Sequence, residues 1–278
     1  MGTVTYVYHP NGNLWKTFYP NNLLETHTYD EIGRLDLVKT ASIDRVTKLE
    51  WQVVSSYDYA VDNVGNRKEV VENNGRKVEY KYDNLNRLLE EKITNDPTGN
   101  NLVVSYTYDA VGNRLTKTDS ALGVTTYTYN NLNQLDFLTD NGAVTDYSYD
   151  NNGNLISEMT GSNSTVYRRA NDGENRLMGV TLNESGVSRN VAYHYNAQGI
   201  RVGKVVDGVE TRYLIDEWQP YEQVVEEYDA TGNTKGSYVY GYDLISRVSG
   251  MQPEFYHSDG LGSTRVVILF LQKNATVV

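Results

Sequence analysis

The 278-residue chain contains no cysteine. Disulfide bonds, thiolate catalysis and cysteine-based metal sites are therefore excluded. Because no covalent cross-link is available, sheet hydrogen bonds and side-chain packing must hold the fold together.

An excess of positive charge is also lacking. The chain carries 25 Lys and Arg against 36 Asp and Glu, which gives a formal net charge of −11. Nucleic acids and anionic membrane surfaces attract proteins that present a basic face. We therefore expect neither of them as a partner.

Long apolar stretches are missing as well. The most apolar run, residues 266–271, has six residues, whereas a helix needs about 20 to span a bilayer. The run therefore predicts a strand and no membrane span. Residues 1–6 contain neither a basic segment nor an apolar one, so no signal peptide is visible.

Helix-forming residues never gather into an amphipathic run with caps. The chain instead holds 24 Tyr and 23 Gly, with abundant Asn, Thr and Val. Tyrosine, threonine and valine suit the pleated surface of a strand, while glycine and asparagine suit turns. The composition predicts an almost entirely all-β protein.

One ten-residue phrase, residues 106–115, is the unit that the chain repeats. Tyr106 and Tyr108 flank a threonine, and this period of two is typical of a half-buried strand. Residues 109–113 are a turn signal, because Asp bonds the backbone ahead of it and Gly and Asn tolerate positive φ. Arg114 then begins a return strand. The phrase predicts the tip of a β-hairpin.

Related phrases recur along the chain. Clear copies begin at Tyr8, Tyr29, Tyr82, Tyr129 and Tyr149, and looser ones at Tyr57 (running on to residues 65–67), Asp172 and Tyr195. Steps of roughly 20 to 26 residues leave room for two strands and two turns but for no helix. We therefore predict an array of antiparallel β-hairpins. The repeat residues expected to be structural are Tyr29, Asp30, Gly33, Arg34, Tyr82, Asp83, Arg87, Tyr108, Asp109, Gly112, Asn113, Arg114, Tyr149, Asp150 and Gly153.

The sequence pattern changes twice towards the C-terminus. We assign residues 1–205 to the hairpin array, 206–267 to a distinct section continuous with it, and 268–278 to a tail that matches nothing earlier. No linker composition separates these parts.

The recurrent Tyr-Asp-x-x-Gly-Asn/Arg phrase resembles the YD repeat of Rhs proteins, of the wall-associated protein of Gram-positive bacteria, of insecticidal Tc toxin subunits and of teneurins. Residues 240–247 (Tyr-Gly-Tyr-Asp-Leu-Ile-Ser-Arg) and 256–265 (Tyr-His-Ser-Asp-Gly-Leu-Gly-Ser-Thr-Arg) are similar to two phrases of the Rhs repeat-associated core, and the second phrase is highly specific. The resemblance covers residues 1–267. It implies structural roles in the core section for Tyr256, His257, Asp259, Leu261, Gly262, Ser263, Thr264 and Arg265.

In that family the hairpins wind into a hollow spiral shell around a C-terminal toxin, which is released after cleavage at the end of the core. The resemblance implies that this chain is a wall segment of such a shell in a bacterial polymorphic toxin, secreted or at the cell surface. Its partners would be further shell repeats and the C-terminal toxin. The family's plug, cleavage site and toxin have no counterpart here, so we expect a truncated copy without toxicity or self-cleavage.

A carbohydrate-binding module is the alternative interpretation. Aromatic faces stack on sugars, and the many tyrosines with Trp15, Trp51 and Trp218 would supply them. A plug and toxin encoded downstream would favour the shell, whereas a stand-alone gene with an export signal would favour a glycan-binding module.

The sequence offers little for catalysis or metal binding. Its Asp/Asn/Gly turns lack the alternating acidic ligands and the terminal Glu of a calcium loop. Neither a Gly-x-Ser-x-Gly elbow nor a phosphate loop is present. We therefore expect no enzyme, no catalytic residue, no cofactor and no metal site. The four histidines, which show no metal-ligand spacing, are His9, His27, His194 and His257.

Self-association is expected from the open edge of a truncated spiral. An unpaired strand edge is a template for pairing with another chain. Residues 266–271 would contribute to this tendency, and poor solubility is the other expected consequence.

Overall fold

A computed structural model describes residues 2–44, 46–170, 174–250 and 252–269. Within these ranges every regular element is a β-strand, which confirms the all-β prediction. No helix among them is long and apolar enough to cross a membrane. The strands are β1 Thr5–Tyr8, β2 Leu14–Phe18, β3 Leu23–Tyr29, β4 Leu35–Ile43, β5 Glu50–Val61, β6 Arg67–Glu72, β7 Lys77–Tyr82, β8 Leu88–Thr94, β9 Leu102–Tyr108, β10 Arg114–Asp119, β11 Gly123–Tyr129, β12 Leu135–Asp140, β13 Ala143–Tyr149, β14 Leu155–Thr160, β15 Asn163–Arg169, β16 Leu177–Glu184, β17 Val187–Tyr195, β18 Arg201–Val206, β19 Val209–Asp216, β20 Gln223–Asp229, β21 Thr234–Tyr240, β22 Leu244–Ser249, β23 Gln252–Ser258 and β24 Thr264–Leu269.

All 24 strands belong to one sheet. Each strand pairs in antiparallel fashion with the next strand in the sequence. This connectivity confirms the predicted array of antiparallel hairpins. The part of the C-terminal tail beyond residue 269 lies outside the described residues.

The turns form two rims along the sheet. Odd-numbered strands end at one of them, which we call the YD rim, and even-numbered strands end at the opposite rim. The Tyr-Asp phrase at Tyr228 ends β20, so its turn lies on the opposite rim, although its sequence resembles a YD-rim turn. The described turns of the YD rim are residues 9–13, 30–34, 62–66, 83–87, 109–113, 130–134, 150–154, 196–200, 217–222, 241–243 and 259–263.

A β-bulge accompanies the YD-rim turns. Thr28 pairs with Leu37 but Tyr29 pairs with Leu35, so Asp36 is an extra residue in the return strand. Equivalent register shifts follow the turns at Tyr82 and Tyr149. The bulge sets the tyrosine directly opposite the first residue of the return strand and increases the local twist.

The loose copy that starts at Tyr57-Asp58 and runs on to residues 65–67 has its turn in its second half. Tyr57 itself lies inside β5, which is 12 residues long, and does not precede a turn. The YD-rim turn begins at Asp62, and Val61 occupies the position that tyrosine takes elsewhere. The long pairing of β5 with β4 carries the strand past the Tyr-Asp pair and moves the turn downstream.

Burial is concentrated at the two ends of the array. The middle strands contribute only scattered buried side chains, such as Val104 and Val180. A single sheet has no second layer to cover it, so burial on this scale requires another part of the same sheet. The buried apolar residues of the end strands are Leu23, Leu24, Val38, Ala41, Ile43, Tyr57, Tyr59, Val70, Val78, Ile245, Phe255 and Ile268.

Candidate functional site: linked turns and a closure between the chain ends

The Asp of the YD phrase organises its own turn. Asp109 Oδ1 accepts the backbone N–H groups of Val111 (3.0 Å) and Asn113 (2.8 Å), and Asp109 Oδ2 accepts the Asn113 side-chain amide (2.9 Å). Asp83 makes the same contacts to Leu85 and Arg87. Because these bonds favour the ionised carboxylate, the backbone N–H of Arg87 above all lowers the pKa of Asp83. The Asp side chain therefore acts as a turn scaffold.

In four consecutive YD-rim turns, from residues 30–34 to residues 109–113, the side chain of the last residue reaches the next turn. This residue is Arg or Asn, and its side chain donates either to a backbone carbonyl or to an amide oxygen one hairpin further on. The turns between residues 30 and 134 are thereby joined in an unbroken series. The joining bonds are Arg34 Nη1 to Asp62 O (2.7 Å), Asn66 Nδ2 to Asn86 Oδ1 (2.8 Å), Arg87 Nη1 to Asp109 O (3.0 Å) and Asn113 Nδ2 to Asn133 Oδ1 (3.0 Å).

The Tyr hydroxyl of the YD phrase donates a hydrogen bond to a backbone carbonyl of the preceding hairpin, and we call this bond a staple. Tyr108 Oη donates to the backbone carbonyl of Leu88 at 2.7 Å, and Leu88 begins the return strand of the hairpin before it. Each such bond crosses from one hairpin to another, so it adds stability that an isolated hairpin lacks. The other staples are Tyr29 to Leu14 (2.8 Å), Tyr82 to Arg67 (2.9 Å), Tyr129 to Arg114 (3.0 Å), Tyr149 to Leu135 (2.9 Å), Tyr195 to Leu177 (2.7 Å) and Tyr240 to Val224 (3.0 Å).

A second row of tyrosines lies two residues before the first and carries arginines over its rings. The guanidinium of Arg114 is 4.2 Å from the ring centroid of Tyr127, and that of Arg67 is 4.2 Å from the centroid of Tyr59. Such cation–π contacts contribute about 0.5 to 1 kcal/mol at exposed sites. They explain why Arg recurs as the residue after the turn.

The last two YD-rim turns contact the first hairpins, and we call this contact the closure. Tyr6 Oη accepts the Tyr242 N–H (3.2 Å), and Tyr59 Oη accepts the Gly260 N–H (2.7 Å). A Cβ on Gly260 would lie 2.7 Å from Leu35 Cδ2 and 2.8 Å from Tyr59 Cε2. A side chain there would have to displace Leu35 or Tyr59, so the packing of the closure favours glycine at position 260, which the sequence analysis did not single out.

Arg265 and His257 of the core phrase also contact the first hairpins. Arg265 Nη2 lies 3.3 Å from Glu72 Oε1, and its guanidinium is 5.8 Å from the Tyr57 ring centroid. The His257 ring is only 1% exposed and packs edge-on against Tyr19, with centroids 4.7 Å apart.

A buried carboxylate lies beside His257. Glu25 Oε1 is 2.9 Å from His27 Nε2, and Glu25 Oε2 is 3.8 Å from His257 Nδ1. Burial alone would raise the pKa of Glu25, but the imidazoles of His257 and His27 outweigh burial and lower it to about 2. Neither ring nitrogen of His257 has a hydrogen-bond partner among the described residues.

The rest of the core phrase repeats the turn design. Asp259 Oδ1 accepts the N–H groups of Leu261 (2.8 Å) and Ser263 (3.2 Å). Gly262 adopts a positive φ of 76°, and Thr264 begins β24. Tyr256 lies in β23, two residues before the strand ends. The phrase is thus a YD turn to which the closure contacts of His257, Gly260 and Arg265 have been added.

Ligand-binding geometry is weak elsewhere in the described part of the chain. No group of three His, Asp or Glu side chains there is positioned to hold a metal. The Trp15 indole has His9 at 5.2 Å between centroids and the Lys16 ammonium at 4.3 Å, so part of its ring is already covered. Trp51 and Trp218 are exposed on separate segments. Glycan binding stays a prediction.

These features define a repeat protein whose single sheet is joined hairpin to hairpin by Tyr, Arg and Asn side chains. The chain belongs to the teneurin YD-shell family, whose sequence model matches residues 1–269. The resemblance to Rhs and YD-repeat proteins is thereby confirmed.

Two bacterial nucleases are similar in sequence. The chain is 35% identical over 164 residues to the tRNA nuclease WapA of Bacillus subtilis (strain 168), covering 58% of this chain and 6% of that protein. It is 33% identical over 187 residues to the tRNA3(Ser)-specific nuclease WapA of Bacillus spizizenii, covering 65% of this chain and 7% of that protein. The chain therefore spans a small fraction of the length of these relatives.

Tc toxin structures share the fold. The Photorhabdus luminescens Tc holotoxin pore superimposes with a TM-score of 0.58 at 14% identity, covering 96% of this chain and 17% of the matched chain. The TcdB2-TccC3 crystal structure gives 0.52 at 16% identity, with 96% and 18% covered. Nearly the whole chain therefore follows the course of these larger sheets.

The staple can be tested by removing one hydroxyl. We expect Tyr108→Phe to lower the free energy of unfolding by about 1 kcal/mol, because the Leu88 carbonyl loses its donor while the ring stays. Urea denaturation measures this change. Tyr106→Phe is the matched control, since the Tyr106 hydroxyl bonds no residue that the structure describes. Equal losses in the two variants would contradict the role of the staple.

The closure can be tested at Tyr59. Tyr59→Phe removes the acceptor of the Gly260 N–H, so we expect the Gly260 amide to exchange roughly five-fold faster or more, as loss of about 1 kcal/mol implies. Hydrogen exchange followed by NMR measures this rate. Tyr80→Phe, at the corresponding position of the next hairpin, should leave it unchanged. An unaltered rate in Tyr59→Phe would show that this bond does not hold the chain ends together.

Acid should weaken the closure through Glu25. The folded-state pKa of Glu25 is about 2, below its ordinary value of 4.5. Its ionised form therefore stabilises the fold fully above about pH 4.5, and this contribution disappears as the pH falls towards 2. Between those limits we expect wild type to lose about 2 kcal/mol more than Glu25→Gln in unfolding experiments. Parallel pH profiles would refute the prediction.

Proposed function

We propose that this chain is a segment of the wall of a YD-repeat shell that encloses a C-terminal toxin in a bacterial polymorphic toxin. The observation that carries the proposal is the continuous pairing of hairpins: a sheet one layer thick is held together by strand pairing and by tyrosine staples, and it meets itself at the closure. Such a sheet separates two compartments without needing a solid core of its own.

The similar proteins support a toxin context. The two Bacillus relatives are named as tRNA nucleases, and the structural neighbours are Tc toxin components. We propose that the parent of this segment is likewise secreted or displayed at the cell surface and that its toxic activity lies outside the matched residues.

We further propose that the segment itself is structural and not catalytic. The Asp side chains of its turns are engaged by backbone N–H groups, and many of its Arg side chains lie over tyrosine rings or join successive turns. These side chains bond to one another and stabilise the wall. The partners that follow from this role are further shell repeats and the enclosed toxin.

The coding DNA around the reading frame provides the first test. We expect further YD repeats and a downstream variable domain within about two kilobases on either side, in any frame. An isolated gene without these elements would contradict encapsulation and would redirect experiments to glycan binding.

Protease protection of the complete polypeptide provides the second test. The C-terminal domain of the intact protein should resist a protease until denaturant opens the shell, whereas the same domain expressed alone should be cut at once. Equal cleavage rates for the two forms would show that the domain is not enclosed.

A further inference from the structure

A cavity of about 200 Å³ lies at the closure, between the first hairpins and the last two YD-rim turns. A single water molecule needs about 10–15 Å³, so the cavity has room for a small molecule. Thr17 and Glu25 line it from one end of the chain, and Tyr242, Asp243 and Asp259 line it from the other. A molecule in this cavity therefore contacts both ends of the array.

The wall of the closure cavity is negatively charged. The carboxylates of Glu25, Asp243 and Asp259 line it, whereas no Lys or Arg of the described residues does. Glu25 is 8% exposed and, with a pKa of about 2, is ionised at neutral pH. Its neighbours His27 and His257 offset this charge only when they are protonated. A cleft lined by one sign of charge attracts the opposite sign, so the wall favours a cation.

Asp243 is the second carboxylate that a ligand can use. Its Oδ1 accepts the Leu244 N–H at 2.7 Å, and its Oδ2 has no hydrogen-bond partner within the described ranges. Asp259, in contrast, also borders a smaller cavity that Arg67 and Arg265 line. The charge of Asp259 is therefore partly offset, and the charge of Asp243 is available.

A buried hydroxyl in the cavity wall lacks a partner. Thr17 is 1% exposed, and no described residue bonds its Oγ1. A buried polar group without a hydrogen bond is costly, so a donor inside the cavity would satisfy it. Two phenols lie beside it: burial above all raises the pKa of Tyr6 and of Tyr19, and the charges of Glu25 and Asp243 raise both further. Both carboxylates therefore act on the same part of the wall.

The remaining wall has a mixed character that suits an aliphatic chain ending in a cation. Leu14, Leu35 and Ile245 supply apolar surface to the lining. The tyrosine rings attract cations through their faces. A primary ammonium group carries three donors and no acceptor, so it can bond both carboxylate and hydroxyl oxygens. An alkylammonium ion combines these features.

We propose that the closure cavity binds a small alkylammonium ion, whose charge is balanced by Glu25 and Asp243 and whose aliphatic stem packs on Leu14 and Leu35. Because the two ends of the chain both contribute to the wall, the site is complete only in the closed form. The ligand therefore stabilises the closure. This inference depends on the closure and not on the enclosed toxin.

An NMR titration of the whole chain with n-butylammonium chloride at constant ionic strength tests the proposal. We expect saturable shifts of the Tyr242 and Gly260 amides with a dissociation constant of roughly 1 mM, as suits so small a ligand. Since only the closed form binds, hydrogen exchange at Gly260 should slow about ten-fold at ten times that concentration. n-Butanol, which has the same length but no charge, should bind at least ten-fold more weakly.

Two variants and a matched control locate the site. Asp243→Asn keeps an oxygen for the Leu244 N–H, and it should raise the dissociation constant at least five-fold. Glu25→Gln should raise it at least ten-fold, because its charge is buried. Asp109→Asn removes the same charge from a turn that does not line the cavity, and Asn130 accepts the equivalent turn bond at 2.9 Å. This control should leave the dissociation constant unchanged.

A capped lysine, Nα-acetyl-lysine N-methylamide, distinguishes two sources of the ammonium group. Tighter binding than n-butylammonium would assign the site to a lysine side chain of a peptide, and weaker binding would assign it to a free amine. The proposal is overturned if neither Tyr242 nor Gly260 shows a saturable shift, or if n-butanol binds equally well. An unchanged dissociation constant in Asp243→Asn would also overturn it, even if Glu25→Gln loosens the closure itself.

Discussion

The bond from a tyrosine hydroxyl to a backbone carbonyl of the preceding hairpin is the interaction on which the sheet depends. A two-stranded hairpin is marginal in water, and the middle of this array buries few side chains. Stability must therefore arise between hairpins. Each staple contributes about 1 kcal/mol, and the staple recurs from Tyr29 to Tyr240. In repeat proteins the free energies of contact between neighbouring repeats add along the array. A thin sheet therefore becomes more stable as the number of hairpins grows.

Tyrosine hydroxyls also join the two ends of the chain, but there they accept hydrogen bonds and do not donate them. In the repeats the tyrosine at the end of the strand donates to a carbonyl, whereas at the closure Tyr6 and Tyr59, two residues earlier in their strands, accept backbone N–H groups. The closure adds what the repeats lack, namely burial: His257 and Glu25 are enclosed there together with Phe255 and Ile268. The core phrase is therefore a YD turn specialised to contact the start of the array. The core phrase acts through these packing contacts, which suits a structural role in a wall.

Much of this design could be predicted from the sequence. The period-two tyrosines and Asp/Gly turns predicted antiparallel hairpins, and the copies at Tyr29, Tyr82, Tyr108 and Tyr149 proved to be correctly placed. In the loose copy from Tyr57 to Arg67 the turn comes late, because the length of β5 is set by its pairing with β4, which the phrase does not encode. The staples could not be derived because a hydroxyl's partner depends on how hairpins stack. The closure joins residues about 200 positions apart, such as Tyr59 and Gly260, so local patterns carry no information on it.

Hydrogen exchange across the whole sheet is the most direct test of the central claim that the ends of the array meet and complete a wall. If they do, amides of β3, β4, β22 and β23 should be protected at least as strongly as those of β9 to β14, because the end strands carry the buried contacts. An open ribbon of hairpins would instead fray from both ends, with protection highest in the middle. Protection at the ends is the result we predict. Progressive fraying would contradict the closure and the account of the wall built on it.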